Sequence, residues 1–153
     1  ISTIAAQLSG TYSIGGSGSP YPDISSAVAD LSTLGINGPV VFQIATGTYN
    51  EQVVIGEVLG SSSTNTITFE SASGNAADVD LRFASATSED NYVWQFNNAS
   101  NMILRNLSMT ATGTTYSRVL HMIQRGDDIL VENCILTSPV TNNNSGDRGV
   151  VIF

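Results

Sequence analysis

The sequence predicts an all-β chain wound as a right-handed parallel β-helix, a solenoid of about 27 residues per coil, closed at its N-terminal end by one amphipathic helix. Three observations carry that prediction. Short apolar strings recur at near-constant spacing, a strand-Asn-strand unit repeats at the same spacing, and one helical pattern stands ahead of the first string.

In chain order, residues 1–9 read as an extension, and Ala5-Ala6-Gln7 fits the tail of a secretory signal with small residues at its cleavage site. A helix is expected over 24–34. Ile24, Val28, Leu31 and Leu34 mark one face at helical spacing, Asp23 is placed to accept from the first turn, and Gly35 sits where a helix ends. Laid over the first coil, this helix would cover apolar core and strand edges that a solenoid otherwise leaves open.

Coils then fill 40–153. VVFQI (40–44), TITFE (66–70), YVWQF (92–96), VLHMI (119–123) and VVIF (150–153) place Phe42, Phe69, Phe96, Met122 and Phe153 at intervals of 27, 27, 26 and 31. The residue two positions earlier in each string is also apolar, as alternation in a half-buried strand requires. Parallel stacking at that spacing would pile Phe upon Phe along the interior. The last interval is longer because 137–147 is rich in turn formers and should bulge outward.

NMILRNLSM (101–109) aligns with DILVENCIL (128–136) at an offset of 27, setting Asn106 over Asn133. Asn tolerates the left-handed backbone of a sharp corner, and its amide could bond to the next Asn in a ladder. The chain stops inside a core string, at Val150 to Phe153, so 1–153 is read as one domain cut from a longer protein. Its open end would serve as a template for end-to-end self-association.

Composition narrows the function. Five Arg and no Lys face 13 acidic residues, a formal net charge of −8, which argues against a nucleic-acid partner and against polyanionic substrates. Neutral polysaccharide meets no such objection. No apolar run approaches the ~20 residues a membrane helix needs, so no membrane insertion is expected. Solubility rests on Ser, Thr, Asn and Gly, a habit of extracellular β-rich proteins, and a secreted or cell-surface location is expected. Cys134 stands alone, without a disulfide partner, and reads as a small buried hydrophobe.

The helix segment YPDISSAVADL followed by VVFQIATGTYNEQVVI resembles the N-terminal portion of pectin-lyase-like right-handed parallel β-helix proteins, notably the pectinesterase family, with its G-x-Y-x-E motif at Gly47, Tyr49 and Glu51. GTYSIGG and TNTITFESASGN also look like β-helix regions of secreted Bacteroidetes-type surface proteins. The resemblance implies a β-helix and puts Glu51 beside a polysaccharide-active site; read from the residues, Gly47 turns the chain, Tyr49 packs on the coil and Glu51 satisfies backbone donors. The Q-D-T, D-F-I-F-G and L-G-R-P-W motifs that carry pectinesterase catalysis are absent.

Arg125-Gly126-Asp127-Asp128 resembles a polygalacturonase Gly-Asp-Asp motif without that family's companions, and neighbouring residues on a strand face opposite ways; a solvated turn is expected. Asp78 and Asp80, two apart, could bind Ca²⁺ as in pectate lyases, but Arg82 follows as a partner for Asp80, and no cofactor is expected. His121 should point out of the coil and lacks companions for a metal site. Tyr12, Tyr21 and Tyr116 read as outward rings. No catalytic, metal or carbohydrate-binding residue is assigned, and the chain reads as a noncatalytic adhesive or carbohydrate-binding module. The competing expectation is the front part of a polysaccharide-active enzyme whose catalytic coils follow Phe153.

Overall fold

A computed structural model of the chain describes residues 6–139 and 148–152. It is a parallel β-helix of about five turns with about 28 residues per coil. Each coil visits three sheets in the same order. Sheet A stacks β1 (Leu8–Ile14), β2 (Ile36–Ile44), β5 (Ile67–Ser71), β8 (Met102–Arg105) and β11 (Ile129–Glu132). Sheet B stacks β3 (Gly47–Tyr49), β6 (Val79–Phe83), β9 (Ser108–Ala111) and β12 (Ile135–Thr137). Sheet C stacks β4 (Val53–Ile55), β7 (Trp94–Asn97), β10 (Ser117–Ile123) and β13 (Arg148–Ile152).

The helix, α1, spans Ile24–Leu34 as its spacing predicts. Asp23 caps it, accepting from the Ser26 N–H at 2.8 Å. Gly35 ends it at φ 67°, donating its N–H to the Leu31 carbonyl. Ile24, Ala27, Val28 and Leu31 bury the apolar face. One boundary differs from expectation. The coils begin at Leu8 rather than Val40, because β1 pairs in parallel with β2 and α1 takes the place of the first coil's other strands. Most of GTYSIGG is therefore wall.

The string alignment holds for two strands and then changes face. Phe42 pairs with Phe69 on sheet A, their rings stacked with centroids 4.7 Å apart. Phe69 next pairs with Leu104, while Phe96 lies on sheet C between Ile55 and Met122. The physical reason is length: the sheet A register steps 35 residues from Ile67 to Met102, since 84–93 loops out ahead of β7. The aromatic column crosses the interior instead of climbing one wall, Phe69 meeting Trp94 edge-on at 5.1 Å and Trp94 meeting Phe96 at 6.1 Å. All four of these rings are at most 1% exposed.

Corners carry the winding. Asn106 and Asn133 both adopt the left-handed backbone, at φ 55° and 52°. Two further pairs share it at coil spacing, Asn98 with Gln124 and Asn101 with Asp128. The corners are joined through the main chain: Asn98, Asn101 and Asn106 donate their N–H groups to Ile123, Asp127 and Glu132 carbonyls at 3.0–3.2 Å. Backbone bonds thus replace the expected Asn side-chain ladder. The outward bulge expected over 137–147, and Phe153, fall largely outside the described residues.

Candidate functional site

The G-x-Y-x-E segment comprises β3 on sheet B and the start of the turn that leads to β4 on sheet C. Tyr49 donates its hydroxyl to the Ala45 carbonyl at 2.8 Å, and the ring fills the space over Gly15, where a Cβ would come within 2.3 Å of the phenol oxygen. Glu51 reaches the start of α1. Its carboxylate accepts from the Ile24 N–H at 3.2 Å, the Ser25 N–H at 2.8 Å and the Ser25 hydroxyl at 2.6 Å. Two carboxylates, Asp23 and Glu51, thereby occupy the positive end of the helix dipole and take up donors that have no partner inside the helix. The chemistry of this motif is capping.

The other candidate acids have separate duties. Asp80 pairs with Arg82 and accepts from Thr110 Oγ1 at 3.1 Å. Asp78 ends a 3₁₀ turn (Ala76–Asp78), off the strand that holds Asp80, and accepts from Ser73 Oγ at 2.7 Å and Asn75 Nδ2 at 3.2 Å. Arg125 to Asp128 form an exposed corner, in which the Asp127 N–H donates to Ser100 Oγ at 3.1 Å and Asp128 supplies a left-handed residue. Among the described residues no group of three or more His, Cys, Asp or Glu is placed to hold a metal ion.

His121 points outward, and its Nδ1 lies 3.0 Å from Gln95 Nε2 with Tyr92 beside the ring at 6.2 Å. Burial, and then the Arg118 charge, hold its imidazole below the usual range. Cys134 is half-buried rather than fully buried, and burial pushes its thiol up. Tyr12 and Tyr21 turn inward, contrary to the reading as outward rings. Their centroids lie 5.9 and 5.8 Å from Phe42, and Tyr21, bonded to Asp30, is pushed up to about 12 chiefly by burial. Tyr116 is partly buried and bridges to Ser85.

Two features escape inspection of the sequence. Along the outside of sheet A runs a polar row, Gln43 to Glu70 at 3.3 Å, Glu70 to Arg105 at 3.8 Å, and Arg105 to Glu132. The signal was present in the 27-residue steps from Gln43 to Glu70 and from Arg105 to Glu132. Beside it a groove of about 420 Å³ is lined by Ser63, Thr66, Asn101, Ile103, Asp128 and Leu130, among others. Hydroxyl, amide, carboxylate and aliphatic groups meet there. A second, apolar hollow of about 630 Å³ opens over the last coil, between Leu120, Met122, Val131, Leu136 and Val151.

No protein-family model matches the sequence, and searches of curated proteins and of solved structures find no match. What identifies the chain is its architecture, a parallel β-helix whose motif residues are spent on its own corners.

Proposed function

We propose that the chain is a noncatalytic β-helix module of a secreted or cell-surface protein that binds neutral polysaccharide or adheres through it. The observation that carries this reading is the engagement of the candidate acids: Glu51 caps α1, Asp80 is paired, and Asp78 closes a turn. A glycosidase needs two carboxylates facing one bond, with one free to give a proton and the other to attack or activate water. In the outer row, Glu70 and Glu132 share the guanidinium of Arg105.

The sheet A groove supports the binding half. Sugars present hydroxyl groups beside apolar C–H faces, and Ser63, Thr66 and Asn101 beside Ile103 and Leu130 offer the matching pattern. The −8 charge disfavours uronate-rich chains and leaves neutral glycans unaffected. An array of neutral and acidic oligosaccharides tests the reading directly. Retention of neutral glycans that Leu130→Arg abolishes supports it, whereas cleavage or de-esterification of any polysaccharide by the purified chain ends it.

Self-association is the second part of the proposal. The apolar hollow over the last coil fits another copy of the chain, with Leu120, Val131, Leu136 and Val151 from three sheets facing it. Sedimentation at several concentrations should show a reversible dimer; a monomer at every concentration would remove this part alone.

A further inference from the structure

We propose that Asn37-Gly38 is a self-modifying site, where the chain deamidates without an enzyme and so loosens its own N-terminal cap. Asn37 is exposed and carries the only Asn-Gly pair in the sequence. Glycine, lacking a Cβ, leaves its amide nitrogen open to approach by the preceding side chain and the backbone free to turn toward it. Every other Asn is followed by a residue with a side chain.

The backbone around this pair is irregularly paired within sheet A. Leu8 pairs with Ile36 and Gly10 with Val40, so Asn37, Gly38 and Pro39 together face the single residue Ser9. On the other side the pairing of β2 with β5 begins only at Val40. The three residues are held at their ends, by Ile36 N–H to Leu59 O at 2.8 Å and Val40 N–H to Thr66 O at 3.0 Å. Among the described residues the Asn37 side chain has no hydrogen-bond partner. A bulge of this kind opens locally at small cost compared with a paired strand.

The chemistry needs only water. The Gly38 nitrogen gives up its proton and attacks Cγ of Asn37; the bond from Cγ to the amide nitrogen breaks, and ammonia leaves. Water then opens the resulting five-membered imide at either carbonyl, giving aspartate or, with the main chain rerouted through the side chain, isoaspartate. Extended backbone keeps Gly38 N away from Cγ, so the reaction waits on opening of the bulge.

The product lies where a negative charge is disfavoured. Asn37 stands two residues beyond Gly35, which ends α1 on its negative side, and the last turn of α1 holds no basic residue to offset a new charge. A new carboxylate there opposes the helix, and isoaspartate also lengthens the main chain inside β2.

The experiment incubates the intact protein in mildly alkaline buffer and follows each Asn-containing peptide by mass, with isoaspartate detected by enzymatic methyl transfer. Asn37 should convert at least about tenfold faster than any other Asn, because only there does glycine follow. Amide exchange over 24–34 should quicken as the product accumulates, and both changes should vanish in Asn37→Gln. Conversion of Asn37 no faster than its neighbours in the folded protein overturns the proposal. So does rapid conversion with unchanged exchange over 24–34, as it would sever the modification from the cap.

Discussion

Replacing Glu51 separates a capping role from a catalytic one. In Glu51→Ala the Ile24 and Ser25 N–H groups and the Ser25 hydroxyl lose their acceptor, while Asp23 still serves Ser26. Water reaches the exposed Ser25 side of this cluster and restores part of what is lost, so the cost is that of one cap plus the dipole interaction, about 2 kcal/mol. At this chain length that corresponds to a fall in Tm of about 4–8 °C. Glu51→Gln keeps one acceptor without the charge and should fall roughly midway. Circular dichroism melts give the total, and amide exchange gives the place: faster exchange should be confined to α1 and β1, because coils of a solenoid lean only on their neighbours. A Glu51→Ala protein within about 0.5 kcal/mol of the parent would refute the capping argument.

Phe69→Ala removes the ring between Phe42 and Trp94 and should cost about 3–5 kcal/mol, read from the urea midpoint, with a red-shifted Trp94 emission. Asn106→Gly should be nearly neutral and Asn106→Ala should cost about 1–2 kcal/mol, since only the second makes the left-handed corner expensive. Because His121 is held below its ordinary value in the folded chain, the unfolded chain takes the proton first; stability should fall as pH drops below about 6.5 and level off once the folded state is protonated too. His121→Gln should flatten that segment of the curve. Tyr21, pushed up to about 12, should resist ionisation in an ultraviolet titration well above pH 10, and stability should decline from about pH 10 upward.

The helix was the most legible element. Asp23, the four spaced apolar residues and Gly35 are local signals, and α1 begins and ends where they place it. The coil period was legible too, because each coil must present a similar inner row. The first strand was not: Ser9, Gly10, Thr11 and Ser13 are exposed polar or small residues, and only Leu8, Tyr12 and Ile14 face the core. Two left-handed corners were missed because Gln124 and Asp128 do not look like the Asn residues they stack with.

A three-sided solenoid makes one kind of ambiguity unavoidable. Strands on all three faces alternate in the same way, so an apolar string reports its phase within the pleat but not the sheet it belongs to. The alignment that matched Phe69 with Phe96 preserved phase and lost the face. The consequence lies outside the coil: Gln43 and Gln95 share the outward phase of their strings, yet Gln43 joins Glu70 on sheet A and Gln95 joins His121 on sheet C. Interior residues forgive that exchange, since any apolar side chain fills the core; outer residues do not, as they act through the particular neighbours one coil away. Corners break the tie. A left-handed residue between sheets A and B, such as Asn106 over Asn133, labels the strand before it as sheet A and the strand after it as sheet B. Assigning faces from corners first, and stacking strings only afterward, brings Arg105 over Glu132 and so recovers the polar row beside the groove.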